Sequence, residues 1–396
     1  MKDDLCALAK VAAIESGAGF PLDRQGECDG EYPFLKVSDM NLPGNERSIH
    51  SWNNTVTDAV RRELRAKAFP AGSIIFPKIG AAIATNKKRV LTRPSCVDNN
   101  VMAVTPVAER LEPDYLYYLL LQKNLSDFAS ASNPPSIKKT EVEGWHVRVP
   151  PLDVQRRIVD VLTRAEGIVR LRREAHAKAA ELVPALFLDM FGDPASNPKG
   201  WPVVALGELV IDGPQNGLYK HKSFYGGGTP ILRIDGFYDG AVLDLSSLQR
   251  VRLAPEEIER YALTANDLVI NRVNSPEYLG KSALIPALHE PTVFESNMMR
   301  LRLDETHAMP GFIIQSLQTE DLRMQVLASA KHAINQSSIN QQDVRALRVL
   351  LPPIDLQRQF TTKVDAVSAI IVQQDHALDK AQATFDVLLQ QAFARP

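Results

Sequence analysis

The chain carries one long phrase twice. Pro150-Pro151-Leu152-Asp153-Val154-Gln155-Arg156 aligns without a gap with Pro352-Pro353-Ile354-Asp355-Leu356-Gln357-Arg358, and a long amphipathic pattern follows each copy. A period this long is not that of a solenoid. It implies two copies of one unit, each a globular part followed by a long helix. In the first helical stretch Ile158, Ala165, Arg172, Ala179 and Leu186 fall seven apart, with Val161/Leu162, Ile168/Val169, Ala175 and Leu182/Val183 between them. In the second, Phe360, Val367, Gln374, Ala381 and Leu388 repeat the spacing, with Val364, Ile371, Leu378 and Phe385 between. An apolar repeat of seven residues held over four heptads is a coiled-coil signature. Each seam has one polar member at its middle, Arg172 and Gln374. In an antiparallel pair of symmetric register these two meet as a polar layer that fixes register; the alternative is that both extend to solvent. A helix of this length spans on the order of 55 Å, enough to hold two domains apart.

Composition bounds the rest. At 396 residues the chain is long enough for two or three domains with full cores. An apolar content of 45% is that of a soluble globular protein, and no apolar run approaches a membrane span. The first residues, MKDDLCALAK, lack the apolar core of a signal peptide. Cys6, Cys28 and Cys96 are scattered and without metal-ligand spacing, so they read as reduced thiols of a cytoplasmic protein. A net charge of −2 does not advertise a polyanion binder, so any DNA contact must come from local patches.

The globular parts repeat element by element. In the first, residues 32–39 read as a strand, 59–68 as a charged helix, 72–80 and 101–104 as strands, 113–120 as a helix, 130–139 as a polar loop and 145–149 as a last strand. In the second, 229–235, 266–273, 296–301, 310–317, 335–340 and 347–350 answer all of these but the charged helix, in order. The fold class is therefore α+β: two similar mixed α/β domains, residues 1–149 and 193–351, with helices at 150–192 and 352–396 forming an antiparallel coiled coil and a pseudo-two-fold internal repeat. Matching scaffold and differing loops suit one frame tuned to two targets.

The two Pro-Pro-Leu/Ile-Asp-x-Gln-Arg openings with their helices, and the phrase Leu186-Phe187-Leu188-Asp189-Met190-Phe191-Gly192-Asp193-Pro194 followed by Asn197-Pro198-Lys199-Gly200-Trp201, carry a resemblance over essentially the whole chain. It resembles the specificity subunit of Type I restriction–modification systems. The resemblance implies two target-recognition domains, each reading half of a split site in double-stranded DNA, and helices that dock DNA methyltransferase subunits, two of them. The assembled methyltransferase then recruits restriction/translocase subunits. S-adenosylmethionine, ATP and Mg²⁺ would be used by those partners, with no cofactor, no catalysis and no membrane contact in this chain. Two unlike readers held at fixed spacing would recognise unlike half-sites about one helical turn (~10 bp) apart. Pro184 lies inside the first helix, where proline removes a hydrogen bond and kinks the chain. The last turn and a half is expected to bend away from the coil axis.

Phosphate contacts position a protein on DNA and base contacts specify the sequence. The phosphate candidates are Lys78, Lys87, Lys88, Arg89, Lys138 and Lys139 in the first domain, and Lys220, Lys222, Arg272 and Lys281 in the second. Amides pair bidentately with adenine, which adds Asn271, Asn335, Gln336 and Ser338 as base-edge candidates. The alternative for each is a solvated charge or a loop cap. The mixed run Arg61-Arg62-Glu63-Leu64-Arg65-Ala66-Lys67 reads as a solvated helix face.

Two catalytic motifs fail. Asn133-Pro134-Pro135 resembles the Asn-Pro-Pro-aromatic motif of adenine methyltransferases, but Ser136 stands where the aromatic would stack on a flipped base. Gly17-Ala18-Gly19 has no long apolar strand before it to make a cofactor-binding turn. No His/Cys/carboxylate cluster has metal spacing, and no histidine forms a nucleophile motif. A protein-interaction scaffold built on the two helices is the alternative function. A methyltransferase with an unrecognised site is a third, opposed by the missing cofactor motifs.

Overall fold

The computed structural model describes residues 4–332 and 336–394. The chain divides into two compact units, Met1–Arg173 with His376–Pro396, and Glu174–Asp375. Each unit thus takes a share of both long helices, Leu152–Phe191 and Ile354–Phe393. Among the described residues no helix is long and apolar enough to cross a membrane.

In the first unit a five-stranded sheet runs in the order Ala12–Ser16, Val101–Pro106, Ile74–Pro77, Arg89–Leu91 and Ser48–Ile49. Its pairs are antiparallel except the last, which is parallel. Ile74-Ile75-Phe76-Pro77 is buried along its whole length, as a continuous apolar run in a central strand should be. The helix Pro113–Leu121 starts with proline in its first turn and with the Glu112 carboxylate accepting from the Tyr115 N–H at 2.9 Å. It packs Tyr115, Leu116 and Leu119 into a core that also holds Phe76, Val104 and Trp145. Leu162, Val169 and Phe385 of the long helices join that same core. Arg47 ties the two layers together, 2.7 Å from Asp114 and 3.2 Å from Glu166.

In the second unit a six-stranded sheet runs Val210–Asn216, Met298–Leu303, Leu268–Asn271, Ser282–Leu284, Gly240–Val242 and Phe237–Tyr238. The helix Pro310–Leu317 covers it. Four rings cluster where this domain meets its share of the long helices. Phe187 lies 5.7 Å from both Phe312 and Phe360, and Phe191 lies 4.8 Å and 5.2 Å from the same two.

The backbone shows the repeat more sharply than the side chains do. The Gly17 N–H donates to the Val101 carbonyl at 3.1 Å, and the Gly217 N–H donates to that of Met298 at 3.1 Å. The Lys78 N–H donates to Asn100 O and the Arg272 N–H to Asn297 O, both at 2.8 Å. The Ile137 N–H returns to Lys78 O and the Ile339 N–H to Arg272 O, both at 2.9 Å. Glycine is required at the first pair: a Cβ would stand 2.1 Å from Asp98 O at Gly17 and 2.2 Å from Glu295 O at Gly217.

The doubled Pro-Pro phrase is a clamp. Gln155 is fully buried; its Nε2 donates to Pro150 O at 2.7 Å and Arg110 O at 2.9 Å, and its Oε1 accepts from the Glu112 N–H at 2.9 Å. Gln357 repeats this with Pro352 O (2.8 Å), His307 O (3.2 Å) and the Met309 N–H (2.9 Å). In both units the start of a long helix is thereby fastened to the residues that lead into the domain helix.

Within each unit the helix segments run antiparallel. In the first, Ile158 and Leu162 lie beside Leu388 and Ala392, and Arg173 Nη2 donates to Gln382 Oε1 at 2.8 Å. In the second, His176 Nε2 lies 2.8 Å from Asp375 Oδ1, while Phe187 reaches Phe360. The seam is narrower than the heptad pattern suggests. Of the adjacent apolar pairs, Leu162 and Val169 turn inward, whereas Val161 and Ile168 are 50% and 54% exposed. Arg172 is exposed and Gln374 half-buried. Helical structure continues through Pro184, which is exposed.

Two expected elements are shorter. The strand beginning at Tyr32 ends at Leu35, because Asp39 turns back to accept the Lys36 N–H at 2.7 Å and starts a 3-10 turn. The charged helix spans only Asp58–Glu63, and Arg65 takes a left-handed conformation (φ 53°) that ends it.

Candidate nucleic-acid interface

The shared backbone frame makes one corner of each unit equivalent. It comprises the end of the first sheet strand, the residue after the central strand, and the start of the short helix after the polar loop. In the first unit these positions hold Ser16, Lys78 and the run Lys138-Lys139-Thr140. In the second they hold Asn216, Arg272 and Asn340-Gln341-Gln342. Lys78 Nζ donates to Ser16 Oγ at 3.0 Å, and Lys138 to Thr140 are exposed. In the second unit the five residues line a hollow of about 330 Å³ with no carboxylate among them.

A second hollow of about 360 Å³ lies in the second unit. Tyr219, Lys222, Arg233, Gln249 and Ser296 line it, together with Lys220 and Glu295. Lys222 is exposed, and Tyr219 is 77% exposed. Arg272 links this region to the corner, since its Nη1 donates to the Ser296 carbonyl at 3.2 Å. Burial pushes the Glu295 carboxyl up, opposed by the Ile234 N–H at 2.7 Å and by Arg233.

The remaining candidates fall differently. Lys88 is buried; its ammonium donates to Asn86 Oδ1 and Lys123 O, both at 2.6 Å, and burial lowers its pKa to about 8. It is an interior residue and cannot reach a phosphate. Asn271 is likewise fully buried in the central strand, with Nδ2 on Tyr278 O at 3.3 Å, so it cannot reach a base edge. Arg89 is half-buried and holds the carbonyls of Lys88 (2.8 Å) and Met40 (3.1 Å). Lys87 donates to Asn41 Oδ1. Lys139 lies 3.5 Å from Glu143. Lys220 pairs with Glu257 at 2.7 Å, and Lys281 donates to Ile234 O while standing 3.7 Å over the Tyr238 ring. Ser338 is half-buried in a short strand opposite Val273, Gln336 is exposed, and Asn335 lies outside the described residues.

Of the sequence candidates, Lys78, Lys138, Lys139 and Arg272 lie at the two corners, and Lys220 and Lys222 at the second hollow. Ser16, Thr140, Asn216, Asn340, Gln341, Gln342 and Tyr219 lie beside them and are not among the candidates. A signal was present: the loop around Pro134-Pro135-Ser136-Ile137 aligns with the one ending at Ile339, which places Asn340 opposite Lys138.

Comparison with known proteins agrees with this architecture. Residues 6–179 match the Type I restriction modification DNA specificity domain. The putative type I restriction enzyme MjaX specificity subunit of Methanocaldococcus jannaschii is 29% identical over 47% of this chain and 44% of its own length. The StySPI specificity subunit of Salmonella potsdam is 25% identical over 72% of this chain and 65% of its own. The EcoKI specificity subunit of Escherichia coli K12 is 23% identical over 70% and 62%. The matches thus span less than two thirds of these relatives. Among solved structures, the S subunit from M. genitalium superposes with a TM-score of 0.58 at 12% identity, covering 100% of this chain and 97% of that one. A chain from a structure of type I R-M complex assembly gives 0.60 at 18% identity, covering 98% and 97%. Repeated frame, paired helices and the match over residues 6–179 together make the chain similar in sequence and fold to the specificity subunits of Type I restriction–modification systems.

Proposed function

We propose that the chain is the sequence-reading subunit of a Type I complex and that it binds a bipartite, asymmetric site in duplex DNA, one half-site per unit. The observation that carries this reading is the pair of equivalent corners. The same backbone hydrogen bonds hold different side chains in the two units, so the same approach to DNA would be read with different chemistry. Base contacts specify and phosphate contacts position. Lys138 and Lys139 in one unit, and Lys222 in the other, are the exposed cations placed to grip phosphates.

The helices supply the docking surface for methyltransferase subunits. Val161, Ile168 and Leu171 on the first unit's segment are 50–57% exposed, and Leu182 and Val372 on the second unit's are 47% and 53% exposed. An apolar face left to solvent on a helix is an interaction site. Methylation with S-adenosylmethionine, and ATP- and Mg²⁺-dependent translocation and cleavage, belong to the partner subunits in this reading. The chain itself supplies recognition without catalysis.

The test is to purify the chain with whatever accompanies it from its host and select bound duplexes from a randomised pool. Two unlike short half-sites at a fixed spacing are the expected result. Partners without an enriched sequence would overturn the reading and leave an interaction scaffold in its place. A DNA reader also loses affinity steeply with salt through counterion release.

A further inference from the structure

We propose that the hollow lined by Asn216, Arg272, Asn340, Gln341 and Gln342 is the base-reading pocket of the second unit, with Gln341 and Gln342 set for adenine and Arg272 for guanine. The inference rests on the recognition function proposed above and assigns it to particular side chains. Glutamine can give and accept a hydrogen bond at the N7 and N6 edge of adenine in the major groove, and arginine can donate twice to guanine.

The local geometry divides the labour. Asn340 Oδ1 accepts from the N–H of Gln342 at 2.7 Å and of Asp343 at 3.1 Å, and Asp343 Oδ2 returns to the Asn340 N–H at 2.7 Å. That capping box, with Val344 buried beneath it, fixes the backbone from which Gln341 and Gln342 project. The Asn340 acceptor is consumed by this work, so a two-point pairing with adenine falls to the exposed Gln341 and Gln342. Arg272 is held at both ends of its peptide, through Asn297 O at 2.8 Å and the Ile339 N–H at 2.9 Å. One arm of its guanidinium is used on Ser296 O. The hollow has donors and acceptors but no lining carboxylate to repel the duplex.

Comparison within the chain sharpens the assignment. All five positions change between the units, while the glycine and the backbone bonds that frame them stay the same. In the first unit the set is Ser16, Lys78, Lys138, Lys139 and Thr140, which lacks any amide. If unlike half-sites are read by one frame, these are positions that make them unlike.

The experiment uses the full chain with its co-purifying partners and the duplex obtained by selection. Affinity for that duplex and for every single-base-pair variant is measured at one salt concentration. Q341A and Q342A should each reduce discrimination at an A·T pair of one half-site by about five- to hundred-fold, with the other half-site read as before. R272A should do the same at a G·C pair. K222A, a phosphate contact, should weaken all duplexes alike and lower the salt slope by about one. Q341K combined with Q342T, which installs the first unit's residues, should change the preferred base instead of abolishing binding. Uniform weakening by Q341A and Q342A, or unchanged discrimination, would overturn the pocket while leaving bipartite recognition intact. A chain that selects no sequence overturns the recognition reading and the pocket with it.

Discussion

Replacing Gln155 by methionine isolates what the doubled Pro-Pro phrase contributes. Methionine nearly preserves the volume and length of glutamine but can neither donate nor accept as glutamine does. Gln155 is fully buried and makes three bonds of 2.7–2.9 Å, to Pro150 O, Arg110 O and the Glu112 N–H. A protein hydrogen bond contributes about 1 kcal/mol net, and a buried partner left unsatisfied costs about 1–3. At the low figure Gln155→Met costs about 3 kcal/mol, a rise of roughly a hundred-fold in the open population of this region. Amide hydrogen exchange reads it directly: peptides covering residues 108–122 and 147–160 should lose protection by that factor, while those around 305–318 should not. Gln357→Met should give the converse pattern, through bonds of 2.8–3.2 Å. A loss below 1 kcal/mol, or equal loosening of both units by either variant, would refute the clamp.

Other outcomes follow from features already described. Phe187→Ala opens the four-ring cluster of the second unit and should cost about 3–5 kcal/mol in urea denaturation; a cost under 1 would show that the rings repack. Burial lowers the Lys88 pKa from 10.5 to about 8. The unfolded state therefore binds more protons between those values, and stability contributed at this site rises as pH climbs from about 8 to 10.5. Unfolding free energies of wild type minus Lys88→Met should rise over that window, and a flat difference would contradict the assignment. Cys28 is exposed, whereas Cys96 is fully buried with its thiol pushed up to about 11. A thiol reagent at pH 8 should label Cys28 first and leave Cys96 unlabelled until the chain unfolds; early labelling of Cys96 would contradict its burial.

Much of the architecture is legible in the sequence because it is written in local periodicities. The long helices follow from the heptads, and the helices at residues 113 and 310 follow from proline in a first turn ahead of an apolar run. The central strands follow from continuous apolar stretches. What escaped was non-local. Lys88 looks like part of a basic surface run, yet antiparallel pairing at Arg89 and Val90 leaves its side chain in the interior. Asn271 carries an amide suited to a base edge, but the strand it ends is buried at every residue. The corner containing Asn216, Arg272 and Gln341 draws on three segments distant in sequence, which no single window contains. The short strands Val203–Ala205 and Gly240–Val242 carry too few residues for a period to show.

The first compact unit includes the chain's last segment, and this has a consequence for synthesis. Phe385, Leu388 and Phe393 complete a core that Tyr115, Tyr118, Leu162 and Val169 begin. Residue 376 is made about 200 residues after residue 173, roughly 10–40 s later at ordinary rates of translation. The first domain therefore leaves the ribosome with an apolar seam that the segment after residue 376 later covers. Premature termination before residue 376 would release a protein whose first domain, already synthesised, remains unsealed and open to chaperones and proteases. Synthesis of residues 376–393 is thus the step that seals the first unit's core.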